Sequence, residues 1–169
     1  YTTLFRSASK NYAYEAGRRA LEDFGREHGW KVQAEDTRHL GFYRLEFMPD
    51  ALSQRSDLGA VAGPLPSRNG RLVSGIYDES PDSTVTMRYD GLKRRFSGYM
   101  HRAVLTQDVE AADIRTMQVR PEFRKDLDLA LQEIRAGADP VRTSIAFCLT
   151  LRKRGFRILW DPDRKEGIH

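Results

Sequence analysis

The most constraining feature of this sequence is a pair of helices near its end, each with a marked beginning and a marked end. Pro121 opens the first, and apolar residues recur at helical spacing from there until Gly137. Asp139 and Pro140 suit the N-cap and the first position of the second helix, and Gly155 ends it. Two adjacent helices with apolar stripes require a further layer to pack against.

Strand signals before and after these helices supply that layer. Apolar and polar residues alternate, or β-branched and aromatic residues cluster, in several short segments. These are predicted strands over residues 30–34, 41–48, 71–77, 84–89, 95–105, 113–119 and 156–160. A further helix is predicted over residues 9–28. The order of elements predicts an α+β fold, with a mainly antiparallel sheet and helices packed on it.

Residues 49–70 stand out because they contain proline, glycine, serine and aspartate without a periodic pattern. Unstructured segments of this length are usually surface lids or disordered segments. We therefore expect a mobile loop there, and deletion of residues 53–66 is predicted to leave the fold nearly intact.

Composition narrows the class of protein. The formal net charge is +4, which permits binding of phosphates, coenzyme A or nucleic acid but selects none of them. Cys148 is the single cysteine, so an intramolecular disulfide is excluded, and its apolar neighbours predict a core position. No apolar run approaches the roughly 18 residues of a membrane span. These features predict a cytoplasmic protein without a membrane span.

The first seven residues resemble the translation of a common sequencing adapter, as expected for a reading frame assembled from metagenomic reads. We therefore predict that residues 1–7 are not native and that residues 8–169 form a single domain. Truncation at either end stays open.

Residues 113–124 form the most informative stretch for function, because a predicted strand there runs directly into a predicted helix. A helix N-terminus presents unpaired backbone N–H groups and a partial positive charge. Arg120, Arg124 and Lys125 add donors that suit a phosphate group. This end of the helix is therefore a candidate anion site.

The same stretch resembles the strand-to-helix signature of the GNAT acyltransferase superfamily, in which Val-x-Pro-x-x-Arg opens the helix that receives the acyl-CoA pyrophosphate. Val119, Pro121 and Arg124 match that pattern. Asp113, six residues before the valine, is similar to the acidic residue of the homoserine-lactone and N-acyl amino-acid synthase branch. Arg115 follows Asp113 by two residues, whereas three is usual in that branch.

The resemblance implies a GNAT-like fold and N-acyl transfer from acyl-CoA or an acyl-carrier protein to a small-molecule amine. It implies that Asp113 is the general base, directly or through a water. Val119 and Arg120 would lend backbone groups to the thioester arm, and Arg124 and Lys125 would hold phosphate. The glycines usual after the arginine are replaced here by residues 125–129.

A basic stretch rich in aromatic residues supports an alternative function, a nucleic-acid-binding protein of a mobile element or virus. Base stacking combined with phosphate contacts uses these residue types. The candidate surface consists of Arg88, Lys93, Arg94, Arg95, Tyr99 and Arg102.

Residues 75–77 and 89–91, followed by Arg94 and Arg95, loosely resemble the GIY-YIG nuclease arrangement of two strand tyrosines and an arginine. Cleavage by such a site would require a metal-binding carboxylate, for which Glu110 is the convenient candidate. The four histidines are scattered without ligand spacing, so the sequence predicts no metal site for the acyltransferase.

Overall fold

The computed structural model describes residues 2–93 and 96–164. Its tertiary contacts divide the chain between Arg55 and Ser56 into two compact units, where the sequence predicted a single domain over residues 8–169. Within the described residues, no helix combines the length and the apolar composition that crossing a membrane requires.

The first unit is a long helix beside a β-hairpin. Helix α1 (Thr2–Glu27) is followed by the antiparallel strands β1 (Val32–Asp36) and β2 (Tyr43–Phe47) and by the short helix α2 (Ala51–Gln54). Gly25 allows the helix to approach the hairpin, because a Cβ atom there would lie 2.1 Å from Val32 Cγ2. The predicted helix and hairpin are confirmed.

The second unit is built on a four-stranded mixed sheet. Its strands are β3 (Leu58–Ala62), β8 (Gln107–Val109), β9 (Gln118–Val119) and β10 (Arg157–Trp160), in the order β8-β10-β3-β9. Strand β10 is parallel to β3, and the other two pairings are antiparallel.

The central position of β3 shows that the loop prediction for residues 49–70 was wrong. Every residue of β3 is buried. Its sequence is Leu-Gly-Ala-Val-Ala, which lacks the polar alternation of a surface strand because both of its faces are covered. Gly59 is required by close packing, since a Cβ atom there would lie 2.9 Å from Phe156 Cβ.

Two small hairpins complete the strands of this unit. Strand β4 (Leu65–Arg68) pairs with β5 (Arg71–Val73) through a turn at Asn69 and Gly70, where both residues have positive φ. Strand β6 (Tyr77–Glu79) pairs with β7 (Val85–Met87). The strand predicted over 71–77 is thus divided between two hairpins. The division is at Gly75, which has a φ of +67°.

Helices α3 (Arg124–Arg135) and α4 (Pro140–Lys153) confirm the two predicted helices. The Asp139 side chain accepts a hydrogen bond from the Val141 backbone N–H at 3.1 Å, as the predicted N-cap. Both helices pack on the sheet through apolar residues that include Leu131, Leu151 and Cys148. Cys148 is therefore a core residue, as predicted.

Two predicted strands were wrong. Within residues 96–105 the chain forms 3₁₀ turns at Tyr99–Val104, where Met100 and His101 have positive φ. Residues 113–119 divide into a 3₁₀ turn (Ile114–Thr116) and the two-residue strand β9. The coarser prediction of an α+β fold with small, mostly antiparallel sheets is confirmed. A GNAT-like arrangement stays a prediction.

Candidate ligand-binding site

Asp113 lies at the centre of a compact polar cluster. Its side chain has no solvent exposure, and its two oxygens accept four hydrogen bonds. Oδ1 accepts from the Arg115 backbone N–H at 3.0 Å and from Arg115 Nε at 2.9 Å. Oδ2 accepts from the Tyr77 hydroxyl at 2.6 Å and from Arg115 Nη2 at 2.7 Å. The buried carboxylate is thus fully hydrogen-bonded.

The backbone holds this cluster from two sides. The Asp113 N–H donates to the carbonyl of Gly75 at 2.7 Å, and the Tyr77 N–H donates to the carbonyl of Ala111 at 3.0 Å. A Cβ atom on Gly75 would lie 3.1 Å from Asp113 Cβ, so a glycine suits both this approach and its positive φ. The Ser144 hydroxyl of α4 accepts a hydrogen bond from the Ile114 backbone N–H at 3.2 Å, which connects the 3₁₀ turn at Ile114–Thr116 to that helix.

Burial and charge fix the protonation of the two partners of Asp113. The pKa of Tyr77 is raised well above its ordinary value, first by burial and then by its hydrogen bond to the Asp113 carboxylate. The pKa of Arg115 is raised mainly by its hydrogen bonds to the same carboxylate. Tyr77 therefore keeps its proton, and Arg115 keeps its charge.

A cleft of about 680 Å³ adjoins the cluster, a volume in the ordinary range for small-molecule sites. Tyr77 and Arg115 border it, and Arg71 and Asp90 contribute further charges. Its apolar walls come from the β4–β5 hairpin, from β7 and from the start of α4. They consist of Leu65, Pro66, Leu72, Val73, Met87, Pro140 and Val141.

We predict that Tyr77→Phe reduces the slope with which the free energy of unfolding falls as pH rises above about 10. The folded protein holds the Tyr77 proton more tightly than the unfolded chain, whose tyrosine has a pKa near 10. The resulting stabilisation is complete below that pH and is lost as pH rises above it, by up to about 1.4 kcal/mol per pH unit. Urea unfolding between pH 7 and 11 measures this slope.

The matched control is Tyr99→Phe, because the Tyr99 side chain is exposed. This control should leave the alkaline slope at its wild-type value. Equal slopes in the wild type and in Tyr77→Phe would show that the Tyr77 hydroxyl does not titrate differently in the folded state.

The predicted phosphate-binding residues are not among those that line this cleft. Val119 is buried in β9, and the Arg120 N–H donates to the carbonyl of Gly59 at 3.1 Å. Arg120 Nε donates to the carbonyl of Leu58 at 2.5 Å. Arg124 and Lys125 are exposed at the start of α3. Along the chain, Asp113 precedes β9, whereas Arg124 and Lys125 follow it.

The predicted nucleic-acid surface is only partly available. Arg88 forms an ion pair with Asp78, in which Nε donates to Oδ2 at 2.9 Å. Lys93, Tyr99 and Arg102 are exposed. Arg94 and Arg95 lie outside the described residues. Nucleic-acid binding therefore stays a prediction.

The two tyrosines of the nuclease-like pattern have separate partners. Tyr77 donates to Asp113, and the Tyr89 hydroxyl donates to Gln107 Oε1 at 3.1 Å. Glu110 is 3.5 Å from Arg152, in an exposed ion pair. In the described part of the chain, no three His, Cys, Asp or Glu side chains are grouped to hold a metal ion.

Sequence reasoning found Asp113 but did not join it to Tyr77 or Arg71. The available signal was the pair Gly75 and Tyr77, which we had interpreted only as part of a nuclease-like pattern.

In comparisons with known proteins, no family model, no curated protein and no solved structure matches this chain significantly.

Proposed function

We propose that the protein is an N-acyltransferase that moves an acyl group from a thioester of coenzyme A or an acyl-carrier protein to an amine. The proposal is carried by the cluster of Tyr77, Asp113 and Arg115, which borders a cleft with apolar walls. The chain continues from this cluster through β9 into the segment that resembles the GNAT signature.

The reaction would form a C–N bond at the thioester carbonyl and break the C–S bond. The amine loses a proton, and the departing thiolate gains one. Tyr77 borders the cleft, so in one concerted step its hydroxyl can give its proton to the departing sulfur while it takes one from the attacking amine. Asp113 is the general base in the resemblance. Its burial and four hydrogen bonds favour a positioning role, in which it holds Tyr77 and Arg115.

The thioester arm would run along β9 toward α3. Strand β9 is at the end of the sheet order, with β3 as its one strand neighbour among the described strands. An edge strand offers backbone groups to an extended ligand. Arg124 and Lys125 at the start of α3 would then meet the phosphates of coenzyme A.

Turnover with a panel of thioesters and amines tests the proposal, by free thiol released and by product mass. Cys148 should not contribute, because burial raises the pKa of its thiol to about 12. With acyl-CoA, Arg124→Ala should raise KM about tenfold or more, since a hydrogen bond to a charged group contributes roughly 1.5–3 kcal/mol.

The matched control is Arg135→Ala, at the opposite end of the same helix. It removes the same charge and should leave KM unchanged. Amine-independent thiol release would indicate simple thioester hydrolysis. Absence of thiol release with every donor and acceptor would exclude acyl transfer.

A further inference from the structure

We infer that the cleft beside Arg115 is a receptor for an organic carboxylate with an apolar body. The inference names the ligand class of the cleft, and it rests on the proposed function only in identifying that ligand as the acyl acceptor. It depends on the geometry of the Arg115 guanidinium, on the cleft walls and on the local balance of charge.

Arg115 has one donor edge engaged and a second edge available. Nε and Nη2 donate to the two oxygens of Asp113, which is the side-on pairing of a guanidinium with a carboxylate. A guanidinium has five N–H donors, and its Nη1–Nη2 edge forms a second fork. In the hydrogen bonds of the described residues, Nη1 of Arg115 has no acceptor.

Arg115 is also accessible, although Asp113 behind it is not. About a third of its side chain, 34%, is exposed, whereas Asp113 has no exposure. The buried carboxylate fixes the plane of the guanidinium, so a ligand that binds the outer fork meets a donor pair already oriented. Pre-orientation lowers the entropic cost of binding.

Among anions, the charges around the cleft favour a singly charged ligand over a doubly charged one. Arg71 and Arg115 are balanced by Asp113 and by Asp90, all four belonging to the cleft or to its cluster. A carboxylate adds one negative charge and matches the planar fork. Because the four charges already balance, a phosphate dianion would leave two negative charges uncompensated where a carboxylate leaves one. Of these two anionic ligand classes, the cleft therefore favours a monocarboxylate.

The apolar walls of the cleft indicate that the rest of the ligand is apolar. Leu72 and Val73 of β5 face the same cleft as Met87 of β7 and Val141 of α4. Burial of apolar ligand surface against such walls contributes about 25 cal/mol per Å². We therefore expect the carboxylate to direct orientation and the apolar body to contribute most of the affinity.

The full-length chain should be titrated at pH 7 with hexanoate, 1-hexanol and hexyl phosphate, with binding followed by calorimetry and by the NMR signal of Arg115 Nε–H. Hexanoate should bind at least tenfold more tightly than either analogue and should shift that signal. Arg115→Lys keeps the charge without the fork and should weaken hexanoate binding about tenfold. Arg135→Gln, which removes a distant charge, should not.

Because Arg115→Lys disturbs a buried pair, a second comparison leaves that pair intact. Val141→Glu places a carboxylate in the cleft, and Val141→Gln is its neutral isostere. Both variants replace an apolar wall residue, but only Val141→Glu adds a negative charge, so it should weaken hexanoate binding at least tenfold more than Val141→Gln does. Equal binding by both variants would overturn the inference, as would hexanol binding as tightly as hexanoate, tighter binding of hexyl phosphate, or no binding.

The binding titration contains no thioester, so its result is separate from turnover. Hexanoate binding without thiol release with any donor would retain the carboxylate receptor and remove acyl transfer. Thiol release without any hexanoate binding would do the reverse.

Discussion

Replacing Ala60 by aspartate should abolish cooperative unfolding of the second unit. Ala60 has no solvent exposure and lies in β3 opposite Ile158 of β10 and Val119 of β9. The substitution would bury a carboxylate without a partner, which costs several kcal/mol. Domains are typically stable by only about 5–15 kcal/mol. Urea unfolding followed by the fluorescence of Trp160, which is fully buried, measures the effect.

The same chemical change on the surface is the control. Ala146 is exposed on α4, and Ala146→Asp should cost roughly 1 kcal/mol or less, mainly through helix propensity. Trp30 lies in the first unit, so Trp30→Phe in both backgrounds isolates the signal of the second. An unchanged unfolding midpoint in Ala60→Asp would show that β3 is not a core strand and would restore the loop predicted for residues 49–70.

Asp113→Ala should destabilise the protein by about 3–5 kcal/mol, the range for a buried ion pair that loses one partner. The change leaves the Tyr77 hydroxyl and the Arg115 guanidinium without their acceptor. We expect the lower end of that range, because Arg115 is partly exposed and its guanidinium can be hydrated. The free energy of unfolding in urea at pH 7 is the measurement.

Asp126→Ala is the matched control for this effect. Asp126 pairs with Arg154 at 3.3 Å, and both side chains are substantially exposed. Exposed pairs contribute about 0–1 kcal/mol, so this variant should unfold close to the wild type. Equal effects of the two substitutions would mean that the Asp113 cluster contributes no more than a surface ion pair.

Measuring hexanoate affinity beside unfolding in Asp113→Ala and in Arg115→Lys also addresses the site, because the cluster belongs to both the core and the cleft. Tyr77 packs in the core and borders the cleft, and Asp113 connects it to Arg115. A variant that loses binding with unchanged stability would identify Arg115 as a ligand contact. A variant that loses both would identify Asp113 as a positioning residue.

The sequence by itself determined the elements whose signals are local. Asp139 and Pro140 predict the start of α4 because the cap and the first helical position use neighbouring residues. The antiparallel hairpin of the first unit was predictable for the same reason, since its strands are joined by a short turn. Asp113 was singled out through its resemblance to the acidic residue of the homoserine-lactone and N-acyl amino-acid synthase branch.

Only the tertiary structure decided the role of β3 and the composition of the cleft. Residues 58–62 are small and apolar, a pattern that fits a buried strand or a loop equally well until partners are known. Their parallel partner is β10, almost a hundred residues later in the chain. Likewise, Tyr77 reaches Asp113 and Arg115 through long-range pairing of residues 75–77 with residues 111–113, and no local periodicity encodes that contact.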